Sequence, residues 1–265
     1  MTSQPLKWHG GKHYLAKRII GLMPPHLHFV EPYFGGGAVL FAKPCEGVSE
    51  VVNDIDGELM NFWECLRNVT AFKVMVRELG ALPFSRGVFE WSKNKGLTPV
   101  DRALHFFCRY RQSRQGLGKD FATLSRNRTR RGMNEQVSSW LSAIEGLPEA
   151  HERLKRVVIL FGDALDVIRQ QDGPKTHFYC DPPYLHETRT AKDCYEHEMT
   201  VEDHEHLLDT LGTSDGTFQL SGYHSKLYDM VAKHYDWRCV EIDLPNNASS
   251  AKVKERKVEC VWMNY

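Results

Sequence analysis

The stretch "HLHFVEPYFGGGAVLFA", residues 26 to 42, carries the reading on which the fold turns. Leu27 to Val30 form a short run of strand type, Glu31 to Gly37 a turn with three successive glycines, and Ala38 to Ala42 the start of a helix. A strand that feeds a helix through a glycine turn is the unit of a parallel α/β sheet, since a parallel neighbour is reached only by a crossover. In such sheets ligands bind outside the carboxyl ends of the strands.

The same unit recurs in both directions along the chain. Upstream, "HYLAKRIIGLM" (13–23) puts Leu15, Ile19, Leu22 and Met23 on one helical face, and Pro24 and Pro25 stop it. Downstream, "SEVVNDID" (49–56) is a strand ending in Asn53, Asp54 and Asp56, followed by the helix start "GELMNFWECL". "KRVVILFGDALDVIRQ" (155–170) is a strand through Phe161, a turn at Gly162 and Asp163, and a helix. "KTHFYC" (175–180) is a buried strand, and "MTVEDHEHLLDTL" (199–211) a helix that Thr200 caps with Asp203 three residues on. "TFQLSG" and "KLYDMVAKHY" continue the alternation, and "WRCVEID" with "VECVWMN" is expected to form a hairpin around a long polar loop. Residues 64–155 break the rhythm, helical at their edges and basic in their middle, and read as an inserted or appended subdomain.

With 265 residues, 42% of them apolar, the chain is long enough to bury a full core. No apolar run approaches the roughly 20 residues that span a bilayer, and the N-terminus lacks the apolar core of a secretory signal, so the expected location is cytoplasmic, with no membrane partner. Seven cysteines without a CxxC pair indicate neither a disulfide framework nor a zinc knuckle but reduced, mostly buried thiols. The 34 basic residues balance the 34 acidic ones, which argues against indiscriminate polyanion binding and leaves room for a local patch.

Gly35, Gly36 and Gly37 let the backbone pass close to a ligand, and Asp54 at the next strand's end is placed for ribose hydroxyls. The pattern is not GxGxxG, so a pyrophosphate is not the expected ligand. A nucleoside with an amino-acid tail, S-adenosylmethionine, fits these features as well as a purely structural glycine turn does.

"DPPY", residues 181–184, narrows the chemistry. Pro182 and Pro183 cannot extend a ladder, so Asp181 and Tyr184 stand on a rigid turn at a strand end. An exocyclic amine on a nucleobase is a poor nucleophile because its lone pair is conjugated into the ring. The Asp181 carboxylate and the Pro182 carbonyl can accept its two hydrogens while Tyr184 stacks on the base. The competing reading is a proline-rich loop with a buried tyrosine.

Taken in order, "PLKWHGGK", "FVEPYFGGG", "VVNDID" and "YCDPPY" resemble the motifs of the Dam-type (D12 class) DNA adenine-N6 methyltransferases over nearly the whole chain. The resemblance implies a Rossmann-like S-adenosylmethionine-dependent methyltransferase sheet, residues 1–63 and 156–265, with a smaller, mainly helical DNA-recognition subdomain, residues 64–155. It implies methyl transfer to adenine N6 in a short site of double-stranded DNA, with base flipping, by a monomer or a dimer on DNA. GATC is the first sequence to test. For the cofactor it implies Trp8, Lys12, Glu31, Pro32, Phe34, Gly35, Gly37, Asp54, Asp163 and Asp181, and for the target adenine Asp181, Pro182 and Tyr184. Cytosine-N4 or RNA amine methylation, and a catalytically inactive DNA-binding relative, are the alternatives.

The DNA candidate is the basic middle, residues 105–134, where Arg109, Arg111, Arg114, Lys119, Arg126, Arg128, Arg130 and Arg131 face only Asp120 in sequence. With Asn127 among them, they suit phosphate contacts and base readout. The chemistry calls for no metal, and His204, His206 and His224 read as satisfied polar residues, without HExxH or a cysteine pair nearby. Cys45 reads as structural. Residues 188–199 are a candidate lid, and the basic loop 245–257 a candidate contact to the DNA backbone.

Overall fold

The computed structural model of the chain describes residues 4–189, 196–244 and 257–265. The basic loop up to Arg256 and the middle of the candidate lid lie outside them. In chain order the elements are α1 (Ala16–Leu22), β1 (His28–Glu31), α2 (Ala38–Ala42), β2 (Ser49–Asp54), α3 (Gly57–Arg67), α4 (Val69–Ala81), α5 (Arg86–Trp91) and α6 (Pro99–Gln112). There follow β3 (Thr129–Arg130), β4 (Met133–Asn134), α7 (Glu135–Glu145), α8 (Leu147–Leu154), β5 (Val157–Phe161), α9 (Ala164–Gln171) and β6 (Thr176–Cys180). The C-terminal part comprises α10 (Val201–Gly212), β7 (Thr217–Gly222), α11 (Lys226–His234), β8 (Arg238–Leu244) and β9 (Lys257–Met263). No helix among the described residues is long and apolar enough to cross a membrane.

Seven strands form one sheet in the order β5-β2-β1-β6-β7-β9-β8. Strands β2, β1, β6 and β7 run parallel, and β9 is inserted antiparallel between β7 and β8. This is the expected mixed α/β, Rossmann-like sheet, closed by the expected terminal hairpin. The strand order reverses at the neighbours β1 and β6, so their carboxyl ends mark the topological switch point. All five residues of β6 are buried, as befits a parallel strand covered on both faces.

The chain divides into two compact units, one of residues 1–21, 35–46 and 56–161 and one of residues 22–34, 47–55 and 162–265. The first is mainly helical and contains the whole of residues 64–155. Its core is aromatic: Phe62 on α3 lies 5.9 Å from both Phe106 and Phe107 on α6, and the buried Trp63 stands edge-on to Phe62 at 4.9 Å. Thr98 and Asp101 close a capping box at the start of α6, with Pro99 in the first turn where its missing N–H costs nothing.

In the second unit the local signals also match the outcome. Thr200 and Asp203 form the capping box of α10. Ser225 caps α11 by accepting from the Tyr228 N–H. The cysteines follow the sequence reading in the main: Cys65, Cys108, Cys180 and Cys260 are buried, Cys45 is half-buried, and Cys239 is exposed.

Candidate active site

In the second unit the carboxyl ends of β1, β2 and β6 carry Glu31, Asp54 and Asp181. Glu31 is only 2% exposed, and such burial of a carboxylate is sustained only by local partners or a ligand. The strand ends are held by Asn53, fully buried on β2. Its side-chain amide donates to the carbonyls of Pro32 and Gly162, both at 3.1 Å, while its main-chain carbonyl accepts from the Phe34 N–H at 2.9 Å. One asparagine thus ties the turn after β1 to the turn before α9. Sequence reading places Asn53 at a strand end and gives it no role in the site. The available signal was a carboxamide inside the apolar run "VVND", where a polar group must find partners.

Asp163, in the turn before α9, caps that helix: its Oδ1 accepts from the N–H groups of Leu165 at 2.8 Å and Asp166 at 3.2 Å. It lies beyond Gly162, whose N–H reaches the Asp54 carbonyl at 3.4 Å, so Asp54 and Asp163 stand at neighbouring chain turns.

Asp181 directly follows β6 and is half-buried, Pro182 is buried, and Tyr184 is only 8% exposed. The Tyr184 hydroxyl contacts Asp181 Oδ1 at 3.2 Å and also hydrogen-bonds to Glu259 Oε1 on β9. A phenol carries one proton, so it donates to one carboxylate at a time. Burial first, then the charges of Asp181 and Glu259, raise the phenol pKa well above its ordinary value, which keeps the proton on Tyr184. The ring of Tyr184 also meets Tyr223 edge-on at 4.9 Å. Glu259 and Tyr223 were not legible as site residues, because nothing in the sequence pairs β9 or the end of β7 with the Asp-Pro-Pro-Tyr turn.

His204 of α10 is fully buried, with Nδ1 2.8 Å from the Tyr228 hydroxyl. Desolvation brings its pKa down to about 4, and the charge of the neighbouring Asp203 works the other way. This histidine is therefore a neutral support beside the turn. His224 is satisfied by Asp229 at 2.7 Å and Glu241 at 3.3 Å. Of the candidate lid, the flanks are described: Arg189 pairs with both oxygens of Glu198, at 2.6 and 3.1 Å.

In the first unit the glycine turn continues as Gly35, Gly36 and Gly37. Gly35 has φ +48°, and a Cβ there would lie 2.7 Å from the Trp8 indole nitrogen. Gly37 at φ 70° leads straight into α2. Both conformations favour glycine, and the first also leaves no room for a side chain. The Gly35 carbonyl accepts from the Trp63 indole N–H at 3.2 Å. Trp8 in turn stacks on α6, its ring 5.0 Å from Tyr110 and 6.1 Å from Phe106, and buried Lys12 donates to the Gly10 carbonyl at 3.1 Å.

The basic middle segment separates into two kinds of residue. Arg114, Lys119, Arg126, Asn127, Arg128, Arg130 and Arg131 are exposed, the last three beside or on the β3–β4 hairpin. Arg109 and Arg111 have structural partners: Arg109 donates to the Gly118 carbonyl at 2.8 Å and Arg111 to the Ser139 carbonyl at 3.0 Å. Burial lowers the Arg111 pKa to about 10. Arg131 forms a two-pronged ion pair with Glu145, at 2.8 and 2.9 Å. Arg126 and Arg130 have no ion-pair partner among the described residues.

Comparison with known proteins identifies the family. A family model described as D12 class N6 adenine-specific DNA methyltransferase matches residues 8–242. The Type II methyltransferase M1.LlaDCHI of Lactococcus lactis subsp. cremoris is 28% identical over 98% of this chain and 94% of its own length. The Type II methyltransferase M.MjaIII of Methanocaldococcus jannaschii is 24% identical over 98% of each. Among solved structures, the rRNA methyltransferase AviRa from Streptomyces viridochromogenes covers 95% of this chain and 84% of its own, with 14% identity and a TM-score of 0.37.

Proposed function

The chain belongs to the D12 class N6 adenine-specific DNA methyltransferases, and on that premise we propose how its residues divide the work of methylating adenine N6 in DNA. S-adenosylmethionine, when bound, supplies a methyl group made electrophilic by the sulfonium. Trp8, Lys12, Glu31, Pro32, Phe34, Gly35, Gly37, Asp54, Asp163 and Asp181 hold it. The chemistry of these groups fits: Glu31, Asp54, Asp163 and Asp181 are acceptors, suited to an ammonium, ribose hydroxyls and an adenine amine, and they would repel a phosphate. The backbone at Gly35, with no room for a Cβ, suits close packing of this turn.

The observation that carries the reading is the Asp-Pro-Pro-Tyr turn at the end of β6, with its tyrosine hydroxyl bonded to Glu259 and in contact with Asp181. Asp181 and the Pro182 carbonyl accept the two hydrogens of the target amine, which draws its lone pair out of conjugation with the ring and towards the methyl group. Tyr184 flanks the base and orients Asp181 through its hydroxyl. The adenine reaches this turn by flipping out of the duplex, at a cost of about a few kcal/mol that the base contacts offset. Residues 64–155 act as the target-recognition subdomain. The exposed Arg114, Lys119, Arg126, Asn127, Arg128 and Arg130 contact the DNA, while Arg109, Arg111 and Arg131 reach it only by leaving the bonds described above. The names of the two relatives support a role beside a restriction endonuclease.

The test is transfer of a labelled methyl group from S-adenosylmethionine to a mixed-sequence duplex, followed by nucleoside analysis and mapping of the modified positions. N6-methyladenine in a short recurring sequence is expected; N4-methylcytosine or a label confined to RNA would overturn the substrate assignment.

A further inference from the structure

Three strands at one margin of the sheet bring together side chains that the methyl transfer does not use. Among the described residues, one group of three has metal-ligating atoms all within 4.8 Å of one another: His224, Cys239 and Cys260. Cys239 lies on β8 and Cys260 on β9, and His224 stands two residues beyond the end of β7, so the donors come from two paired strands and the turn after a third. The register explains their approach. Cys239 pairs across with Trp262 and Cys260 with Glu241, so all four side chains share one face, with the two sulfurs diagonal to each other. The His224 ring meets that face edge-on to Trp262 at 5.9 Å.

We infer that His224, Cys239 and Cys260 form a binding site for a thiophilic divalent cation, zinc by its chemistry, at the margin of the sheet. Two thiolates and an imidazole suit zinc and exclude calcium and magnesium, which take oxygen ligands. In a tetrahedral site with Zn–S bonds of about 2.3 Å the sulfurs stand about 3.8 Å apart, within the separation seen here. His224 is oriented as a ligand requires: Nδ1 is 2.7 Å from Asp229 Oδ1, which as acceptor fixes the tautomer and leaves Nε2 for the metal. Nε2 now faces Glu241 Oε1 at 3.3 Å, and this carboxylate, directly across the ladder from Cys260, is at hand for the fourth position. Binding releases the two thiol protons to solvent. His224 and Cys239 are exposed, so a cation reaches them without unfolding the sheet.

The site takes no part in methyl transfer; its effect is to cross-link β7, β8 and β9. Its neighbour in sequence is Tyr223, whose ring touches Tyr184, so the cross-link stiffens the backbone behind the Asp-Pro-Pro-Tyr turn. The test uses the full chain, reduced, stripped with a chelator and titrated with Co2+, whose thiolate charge-transfer band reports sulfur ligation. One equivalent that produces this band and is displaced by Zn2+ is expected. Cys239→Ser and His224→Ala, both at exposed positions, should abolish or shift the band while far-ultraviolet circular dichroism is unchanged. Asp229→Asn, a positioning change, should weaken binding about 10–100-fold. A wild-type protein without the band, or variants with an unaltered titration, would overturn the site.

Discussion

In the proposed mechanism Asp181 and Tyr184 serve the site in different ways, and substitution separates the two roles. Asp181 is half-buried at the end of a strand whose residues are all buried, so its carboxylate can be lost without opening the core. Asp181→Ala should abolish methyl transfer and leave cooperative unfolding and duplex binding near the wild type; near-normal turnover would remove Asp181 from the mechanism. Tyr184→Phe keeps the ring against Tyr223 but deletes the hydroxyl that meets Asp181 and Glu259. A hydrogen bond to a charged group contributes about 1.5–3 kcal/mol, so a fall of roughly ten-fold or more in kcat is expected. If the hydroxyl acts by orienting Asp181, KM for DNA should change little, and a loss confined to KM would show that it binds rather than positions.

The elements that carry charge lie in the helical unit, where α6 and the β3–β4 hairpin hold the basic cluster. Position along an element decides which arginines are available. Arg109 and Arg111 lie in the last turn of α6, where positive charge complements the helix dipole and both side chains find carbonyls. Arg131, at the hairpin turn with φ 56°, is tied to Glu145 of α7. Arg126 and Arg130 are the better candidates for phosphate. Replacing both with Ala should weaken duplex binding and reduce the slope of log K against log salt by about 0.9 for each lost contact. An unchanged slope would assign them elsewhere. Arg131→Ala should instead leave the salt slope of duplex binding unchanged and lower the thermal midpoint only slightly, because solvent screens the exposed pair with Glu145.

For the molecule as a whole, stability should depend on pH through His204. Its pKa is near 4 folded against an ordinary 6.5, so between those values the unfolded chain binds the extra proton. Stability from this group is complete above pH about 6.5 and is lost as the pH falls towards 4, by about 1.4 kcal/mol per unit at the steepest. Urea midpoints measured from pH 7 to 4.5 should decline, and His204→Gln should flatten that decline; parallel curves for the two proteins would show that other groups dominate. His204 was readable only as a polar residue of a capped helix, since its burial depends on Tyr228 of α11 packing against it. The alternating strand and helix units, the cap at Thr200, the glycine turn and the family motifs were all legible along the chain. Each is a local signal: a period, a capping residue, or a backbone conformation that glycine favours. Asn53 tying Pro32 to Gly162, Glu259 against Tyr184, Arg131 drawn to Glu145, and the meeting of His224, Cys239 and Cys260 were decided by tertiary structure alone. Most of these partners are distant in sequence and come from separate elements, and even Arg131 and Glu145 lie on different ones. Strand order and register, which no local pattern encodes, set which polar side chains share a face, and burial then sets how strongly they interact.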